Sequence, residues 1–455
     1  MHLYTHRLDG TGQVLIYRPL LGLAFVGNAA MAELCQRVAT GGNNAQLNVE
    51  GEAMRFLSSI GFLRADPPPP PRTMESFRPI LAVLLTTNRC QLRCVYCYAA
   101  AGAQPEMDLP EELGRQAIDL VCANARGNKK TRAFEVSFHG GGEPSLAWKT
   151  MQACTAYARQ KPLPARITLT SNGVWSQRQC EWIVSNLDGV SLSMDGRPET
   201  QNGHRPFASG KESFGAVWRN ITEMDRRGFE YSIRLTATEP WDGFPQEIEF
   251  LCRETGCQSF HVEPTFHIQR GAHGDALPGE GQAFVDAFLE AAEIAGKAGR
   301  RLEYSGARIG LLLDTFCTAP FQALIVNPLG QLVACYELAG QSHPMNDIST
   351  VGYLKDGRIL LDGKMRRKLH DLLGARRESC KDCFCYWSCA GDCYIRSFSS
   401  SGDDPAKRGE RCQINRKLTE ALILKKIAEG NGVCGLTNQR AEAEMAHDPY
   451  WGMHP

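Results

Sequence analysis

The sequence lacks an excess of either charge and lacks any long apolar run. Its 455 residues include 50 lysine plus arginine and 50 aspartate plus glutamate residues, so the formal net charge is zero. Proteins that bind nucleic acid or anionic membranes usually carry a basic surface, which this balance does not supply. No apolar stretch reaches the roughly 18 residues of a membrane span, and the start, MHLYTHRLDG, has no signal-peptide pattern. We expect a cytoplasmic protein that binds neither nucleic acid nor membrane.

Cysteine, in contrast, is abundant, with 18 residues in the chain. In a reducing compartment so many cysteines are rarely disulfides, which favours metal ligation. Ten of them fall into two spaced groups, and most of the others lie in apolar helical contexts typical of small buried residues. A hydrophobic content of 43% is ordinary for a globular chain, and the length predicts two to three domains.

The chain divides into five segments of different pattern. The first alternates short strands with two helices and has a possible returning strand at Ile60 to Leu63. Consecutive prolines open the second, which we interpret as a semi-rigid linker. The third alternates strand and helix, the fourth is rich in cysteine, and the fifth is a polar tail to which we assign no function. The predicted boundaries are 1–66, 67–77, 78–300, 301–425 and 426–455.

Six strands, each followed by a helical stretch, are predicted in the third segment. Such serial units form a parallel sheet with right-handed crossovers, either doubly wound or curved into a barrel. In both arrangements the functional face lies where the strands end. The predicted strands are Ile80 to Thr87, Phe134 to His139, Arg166 to Ser171, Val190 to Met194, Tyr231 to Thr238 and Ser259 to Thr265.

Polar and glycine-rich features follow these strands at their carboxyl ends. The first is CQLRCVYCY, with cysteines at C-x3-C-x2-C, and the second is GGGEP. Three thiolates leave one iron of a four-iron cluster without a cysteine ligand, and that open position is where chemistry would start. In chain order the features are Cys90 to Tyr98, Gly140 to Pro144, Ser171 to Gly173, Ser193 to Gly196, and Glu263 with Pro264.

The first two of these loops resemble the radical S-adenosylmethionine (SAM) superfamily. The resemblance implies that Cys90, Cys94 and Cys97 hold a four-iron four-sulfur cluster whose open iron binds SAM. An external reductant such as flavodoxin or ferredoxin would then drive formation of a 5′-deoxyadenosyl radical. In the stretch DGRPETQNGHR the family's His-Asp pair is replaced by Gln201 and Asn202, so the role of that pair does not transfer. The implied SAM-binding residues are Tyr96, Gly141, Gly142, Glu143, Asn172, Ser193 and Arg205.

Seven further cysteines crowd the fourth segment, five of them at C-x2-C-x5-C-x3-C-x18-C. This array is similar to the SPASM extension of radical SAM enzymes, which carries two auxiliary four-iron clusters. Structural zinc is the alternative reading of the C-x2-C pair. The first implied cluster lacks a fourth ligand, which Cys385, the substrate or no group at all would supply. The resemblance assigns Cys317, Cys335 and Cys393 to the first cluster, and Cys380, Cys383, Cys389 and Cys412 to the second.

The strand, strand, helix, helix order of the first segment resembles the small winged-helix recognition element of enzymes that modify ribosomally made peptides. That element captures a leader peptide by adding it as a strand to a sheet edge. We therefore predict an α/β protein, with a partial (β/α)6 TIM-type barrel between an N-terminal winged-helix-like domain and a C-terminal cysteine-rich SPASM domain. The implied cofactors are SAM and three 4Fe-4S clusters.

The predicted function is a radical SAM peptide maturase that forms an intramolecular C–C or thioether crosslink in a ribosomally synthesised precursor peptide, bound by its leader. One alternative is a sulfatase-maturating enzyme that oxidises cysteine or serine to formylglycine. Another, of a different class, is a non-catalytic winged-helix and zinc-ribbon regulator. The catalytic residues are not predicted, but four side chains close to the cysteine array are candidate substrate contacts: Tyr304, Arg308, Tyr336 and Glu337.

Overall fold

The computed structural model describes residues 1–41, 51–70, 77–129, 131–265, 269–272, 281–338, 343–397 and 409–436. They form a sheet of four strands and a sheet of eleven. The strands are β1 (Tyr4–Arg7), β2 (Val14–Arg18), β3 (Leu23–Gly27), β4 (Leu81–Leu85), β5 (Phe134–His139), β6 (Ala165–Ser171), β7 (Gly189–Ser193), β8 (Tyr231–Ala237), β9 (Ser259–Pro264), β10 (Arg301–Glu303), β11 (Ala323–Val326), β12 (Gln331–Val333), β13 (Thr350–Lys355), β14 (Arg358–Leu361) and β15 (Val433–Gly435).

The α-helices connect the strands of the large sheet and cover the small one. They span Ala29–Ala39, Gly51–Ser59, Glu111–Gly127, Trp148–Arg159, Gln177–Asn186, Pro198–His204, Phe214–Arg226, Phe244–Glu254, Gly281–Lys297, Ala319–Gln322, Asn346–Ser349, Gly363–Glu378, Tyr386–Cys389 and Glu410–Glu429. Side chains next to the first turn help to determine where some of these helices begin. The oxygen of Ser176, for example, accepts a hydrogen bond from the Gln179 amide and begins a helix with a capping box.

The large sheet confirms the predicted α/β fold with parallel strands. Strands β4 to β9 lie side by side in chain order, and every neighbouring pair is parallel. Every residue of β4 is buried, as expected for a parallel strand covered on both faces. The sheet is wider than six strands, because β10 adds in parallel beside β9 and β11 adds in parallel beside β4. Antiparallel strands β12 to β14 continue it beyond β11.

The small sheet has the order β1, β2, β3, β15, and its last strand comes from the other end of the described chain. Strand β15 pairs antiparallel with β3. The predicted returning strand at Ile60 to Leu63 is wrong. Gly61 adopts a φ of 75°, the Phe62 amide donates to the Leu57 carbonyl at 2.9 Å, and the Gly61 amide donates to the Ser58 carbonyl at 3.1 Å. This closure ends the preceding helix in a turn.

The small sheet lies between two apolar layers. On one side Ile16 and Phe25 pack with the helices Ala29–Ala39 and Gly51–Ser59. On the other side Leu15 and Tyr17 pack against the cysteine-rich segment. The N-terminal segment therefore shares a core with the region after residue 380. The predicted linker lies partly outside the described residues, and 67–70 have no regular secondary structure. Of the predicted tail, 437–455 also lie outside the described residues.

The junction between β3 and the C-terminal strand requires glycine at position 22. Gly22 has a φ of 63°, and a Cβ there would lie 1.7 Å from the Leu436 carbonyl oxygen. Gly12 has a similar φ of 68° with nothing within 4 Å of the same position. We expect Gly12→Ala to lower the free energy of unfolding by about 1 kcal/mol from backbone strain alone. Gly22→Ala should lower it by about 2 kcal/mol, because the clash also displaces β15.

Urea denaturation of both variants measures this difference. An equal loss in the two would contradict the packing of the C-terminal strand against β3.

Candidate active site

A cavity of about 330 Å³ lies at the carboxyl ends of the parallel strands. The loops that follow β4 to β7 form one part of its wall, and residues of the cysteine-rich segment form another. The wall brings together most of the residues predicted for the site. They are Cys90, Cys94, Cys97, Tyr96, Gly141, Gly142, Glu143, Asn172, Ser193, Arg205, Tyr336 and Glu337.

The three cysteines of the loop after β4 all line the cavity. Burial, followed by the charges of Glu143, Cys94 and Cys97, raises the pKa of the Cys90 thiol to about 12. A backbone hydrogen bond to a residue outside the loop restrains it: the Val95 amide donates to the His204 carbonyl at 2.9 Å. A set of three neighbouring thiols without a carboxylate among them is the donor chemistry of an iron–sulfur cluster. These residues therefore fit the implied cluster.

The described residues hold no group of three or more His, Cys, Asp or Glu side chains arranged around a single metal ion.

The GGE loop packs directly against the cysteine loop. The Gly142 amide donates to the Thr87 carbonyl at 3.0 Å, and the Glu143 amide donates to the Arg89 carbonyl at 2.7 Å. A Cβ on Gly142 would lie 2.0 Å from the Arg89 carbonyl oxygen, so only glycine fits. Glycine at position 142 thus allows two loops of the protein to approach each other. The sequence pattern did not reveal this reason for a glycine there.

Glu143 is fixed by protein donors. Its carboxylate accepts hydrogen bonds from the Ser145 amide at 3.0 Å, the Ser171 hydroxyl at 2.7 Å and the Asn172 amide at 2.8 Å. Burial raises its pKa, and the donors only partly offset that effect. The ends of β5 and β6 are therefore tied together at one carboxylate on the cavity wall.

Arg205 forms a buried ion pair that the sequence did not predict. Its Nε and Nη2 donate to the two carboxylate oxygens of Asp195, both at 3.0 Å. The Tyr96 hydroxyl also donates to Asp195, and the Tyr96 ring lies 5.3 Å from the guanidinium carbon. Burial raises the pKa of Asp195, but Arg205 more than offsets this and holds it well below the usual range. Asp195 thus positions two of the predicted SAM-binding residues.

The two residues that replace the family's His-Asp pair have structural roles. The Gln201 side-chain oxygen accepts from the Asp195 amide at 3.0 Å. The Asn202 side-chain oxygen accepts from the Phe214 amide at 2.8 Å. His204, on the same helix, places Nδ1 at 3.3 Å from an Asp195 oxygen. All three hydrogen bonds stabilise the turn that carries Arg205.

A second ion network also lines the cavity. One oxygen of Glu263, at the end of β9, lies 2.8 Å from an Arg396 nitrogen and 2.9 Å from an Arg411 nitrogen. Glu337 also pairs with Arg396, at 2.7 Å. Burial raises the pKa of Glu263, but Arg396 and Arg411 reverse this and hold it well below the usual range. The network joins the parallel sheet to the cysteine-rich segment.

Sequence analysis missed this network, although Arg396 and Arg411 stand within three residues of predicted cluster cysteines. It also missed His139 and Arg234, which line the cavity. Burial and then the Arg234 charge lower the pKa of His139 to about 4, so this imidazole is neutral at pH 7.

Residues 84–250 match the family model of the Radical SAM superfamily. This region is a radical SAM domain. It contains the cysteine loop, the GGE loop and Arg205 of the cavity described above. The domain makes the chain a radical SAM enzyme, which decides against the non-catalytic regulator.

Two curated relatives show what this radical SAM enzyme is similar to. Pre-heme d1 synthase of Dinoroseobacter shibae is 25% identical over 376 residues, covering 74% of this chain and 88% of the relative. Sporulation killing factor maturation protein SkfB of Bacillus subtilis is 25% identical over 277 residues, covering 58% of this chain and 62% of the relative. The chain spans between 29% and 88% of the length of the curated relatives it matches.

A solved structure supports the fold over a wider range than the radical SAM domain. Native anSMEcpe with bound AdoMet superposes with a TM-score of 0.62 at 19% identity, covering 77% of this chain and 99% of that chain. The shared architecture therefore extends from the radical SAM domain into other parts of the chain.

The seven C-terminal cysteines of this enzyme form two neighbourhoods. After burial, Glu337 and Cys393 raise the pKa of Cys335, and Cys317 does so as well. The charges that act on Cys389 come from Asp392, Cys412, Cys380 and Cys383. The structure thus brings together the two sets that the SPASM resemblance implies.

Cys385 lies with the second neighbourhood and not with the first. A hydrogen bond with the Cys385 thiol is the main cause that lowers the pKa of Cys383 to about 6. Cys385 itself packs in the apolar layer with Tyr17 and Cys434 under the small sheet.

Two of the predicted substrate contacts lie outside the cavity wall. The Tyr304 hydroxyl donates to the Asn415 side-chain oxygen at 2.6 Å, and Arg308 donates to the Phe316 carbonyl at 2.7 Å. Both side chains are buried.

Among the described residues, no helix combines the length and apolar character of a membrane span.

Proposed function

We propose that this radical SAM enzyme is a peptide maturase that forms an intramolecular C–C or thioether crosslink in a ribosomally made precursor. The observation that carries the proposal is the composition of the cavity wall. Cys90 and Arg205 of the radical SAM domain share one cavity with Tyr336, Glu337 and Arg396 of the cysteine-rich segment. A substrate in this cavity would contact both parts of the chain. The likeness to SkfB, whose name is that of a maturation protein, supports a peptide substrate.

The cofactors of the proposal are SAM and three 4Fe-4S clusters. Cys90, Cys94 and Cys97 would hold the cluster that binds SAM, and the two C-terminal cysteine sets would hold the auxiliary clusters. When bound, these groups supply hydrogen abstraction by a 5′-deoxyadenosyl radical and a place for the electron that a closing bond must lose.

The protein's own residues hold the reactants in place. Asp195 accepts hydrogen bonds from the Tyr96 hydroxyl and the Arg205 guanidinium, which restricts each side chain to one rotamer. Glu263 pairs with Arg396 and Arg411, and Glu337 pairs with Arg396, so these charges on the cavity wall are compensated within the protein. Such preorganised groups reduce the entropy cost of placing a substrate for reaction.

The small sheet supports the leader-binding part of the proposal. Strand β3 is paired on both sides, so the outer strands of this sheet are β1 and β15. Strand β1 spans four residues and β15 spans three. We infer that a leader peptide adds beside β1, because the longer edge offers more backbone hydrogen bonds. Hydrogen exchange with and without leader should show new protection at residues 4–7, and protection confined to the cavity wall would contradict this binding site.

Arg205→Lys tests the role of the Asp195 pair in SAM binding. An ammonium cannot reproduce the two-point contact of the guanidinium, so we expect the Kd for SAM to rise about tenfold. Arg197→Lys is the matched control, since Arg197 makes a similar two-nitrogen contact with Glu247 outside the cavity wall. Anaerobic calorimetric titration measures both. Equal changes in the two variants would show that the Asp195 pair has no special role.

The experiment that tests the proposed function uses the reconstituted enzyme, SAM, a reductant and a precursor peptide from the gene neighbourhood. Mass spectrometry should show the loss of two hydrogens, and tandem spectra should lack fragments between the joined residues. An aldehyde that reacts with a hydrazine probe would instead identify formylglycine and reject crosslinking. An unchanged peptide would also reject it.

A tetrapyrrole is the second candidate substrate, favoured by the match that covers 88% of pre-heme d1 synthase. The cavity contains Arg234, Arg396 and Arg411, and guanidinium groups suit carboxylate side chains. A heme precursor with propionate groups therefore belongs in the same assay. Its conversion, with the peptide unchanged, would replace the peptide proposal.

A further inference from the structure

The cysteine set formed by Cys317, Cys335 and Cys393 is one ligand short of a complete four-iron site. We propose that the Asp392 carboxylate is the fourth ligand of this cluster. The inference rests on the proposed auxiliary clusters and names a residue that the cysteine pattern does not include. In this proposal the fourth iron is neither left without a ligand nor ligated by the substrate.

A separate cavity of about 120 Å³ carries the argument. Its wall contains all three cysteines of the set and Asp392, and none of the cysteines from the other two sets. This cavity does not share the SAM-site residues that line the larger one. The cavity therefore has three thiols and a carboxylate as potential ligands for one buried group.

The two oxygens of Asp392 have different surroundings. Oδ1 accepts a hydrogen bond from Arg411 Nε at 3.0 Å. Oδ2 is buried and has no hydrogen-bond partner among the described residues, and the whole side chain is only 5% exposed. A buried carboxylate oxygen without a partner is unfavourable, so such an atom is expected to have a ligand. An iron of the cluster would supply it, because carboxylate oxygen also ligates iron in proteins, as in non-haem iron sites.

The sequence position of Asp392 fits this role. It directly precedes Cys393, and its amide donates to the Cys389 carbonyl at 3.1 Å, which holds the turn between the two cysteine sets. Its φ is 63°, a conformation that aspartate and asparagine tolerate better than most residues. The charge of Asp392 is among the causes that raise the pKa of the Cys393 thiol, and it also raises the pKa of Cys389, so Asp392 lies where the two cysteine sets meet. Aspartate at this position is therefore close to the set and locally compatible with the turn.

His370 is the other candidate on the same wall. Its Nε2 is buried without a hydrogen-bond partner among the described residues, and its ring lies 4.8 Å from the Phe321 ring. Asp392 is the stronger candidate for two reasons. It neighbours a ligand in sequence, and an unpaired buried carboxylate oxygen is less favourable than an unpaired atom of a neutral imidazole. Cys385 is not a candidate, since it packs with Tyr17 and Cys434 under the small sheet and does not line this cavity.

The test uses the full chain in which Cys90, Cys94 and Cys97 are changed to alanine, so that only the auxiliary clusters assemble. The protein is reconstituted, reduced and mixed with ¹³C-cyanide, which binds an iron that lacks a protein ligand. Electron–nuclear double resonance then detects a ¹³C coupling. With Asp392 present we expect no coupling. In Asp392→Ala we expect a coupling at unchanged iron content, and in Asp392→Cys we expect it to disappear again.

Three results would overturn the proposal. A ¹³C coupling with Asp392 present would show an open iron. A ¹⁴N coupling that is lost in His370→Ala would assign the ligand to histidine. A lack of ¹³C coupling in a folded Asp392→Ala variant would exclude the carboxylate.

If Asp392→Ala does not fold because Arg411 loses its partner, Asp392→Asn keeps the shape of the side chain and takes its place. A ¹³C coupling in that variant supports the proposal, and its absence counts against it. None of these readouts depends on peptide turnover, so failure of the crosslinking function would leave this result unaffected.

Discussion

Cys90→Ala abolishes cleavage of SAM and lowers the iron content from about twelve to about eight per chain, if three four-iron clusters assemble as proposed. The physical reason is that Cys90 is one of the three cysteines that line the large cavity among the described residues. Two thiolates do not hold a four-iron cluster in a low-potential site. The measurements are iron analysis, electron paramagnetic resonance of the reduced protein, and chromatography of the SAM products.

Cys252→Ala is the control for this prediction. Cys252 is a half-buried cysteine on the helix Phe244–Glu254 and does not line either cavity. We expect it to keep the full iron content and the full rate of SAM cleavage. If Cys90→Ala also keeps them, the cysteine loop is not the SAM cluster site.

Glu263→Gln should destabilise the protein by about 3–5 kcal/mol, the range for removing one partner of a buried ion pair. Glu263 is buried and contacts both Arg396 and Arg411, so the change leaves a half-buried and a buried guanidinium group with less compensating charge. The weakened contacts are those that join the parallel sheet to the cysteine-rich segment. Chemical denaturation of the reconstituted protein measures it.

Glu223→Gln is the matched control. Glu223 also contacts two arginines, Arg226 and Arg227, but at the protein surface, where solvent screens the charges. We expect little change in stability there. A similar loss in both variants would mean that burial of the Glu263 network does not matter.

The Glu263 network also predicts a pH dependence. The native pKa of Glu263 lies well below its usual range, so its contribution to stability is fully present above the unfolded value of about 4.3. The contribution is lost as the pH falls from there through the native pKa. The difference in stability between wild type and Glu263→Gln should therefore be constant near pH 7 and shrink below about pH 4. A difference that grows on acidification would contradict the sign of this shift.

The sequence predicted the central strands because they are long and apolar enough to show their period. The predicted Phe134 to His139 matches β5, and the other five differ by one or a few residues at their ends. Strands β10, β11 and β15 span three or four residues each, which is too short for periodicity to identify. Strand β15 is also paired with a strand about four hundred residues away, and that pairing has no local signal.

The site was predictable where chemistry follows sequence spacing and not where it depends on tertiary contacts. The cysteine and GGE loops have recognisable patterns, and both line the cavity. Asp195 was visible in the Asp-Gly pair, but its contact with Arg205 depends on the helix between them. Arg396, Arg411 and Glu263 lie far apart in the chain, so only the fold shows that they form one network.

Asp392 shows the same limit at the cysteine-rich segment. In the sequence it is one acidic residue among many, beside a cysteine of a known spacing. Its significance comes from an oxygen that is buried without a partner in a cavity with three thiols. Neither burial nor the missing partner is a property of the sequence alone.

The most direct test of the central claim is release of 5′-deoxyadenosine by the anaerobically reconstituted, reduced enzyme in the presence of SAM and precursor peptide. The account predicts release that requires Cys90, Cys94 and Cys97 and that accompanies the loss of two hydrogens from the peptide. A preparation with its full iron content that releases no 5′-deoxyadenosine would contradict the account.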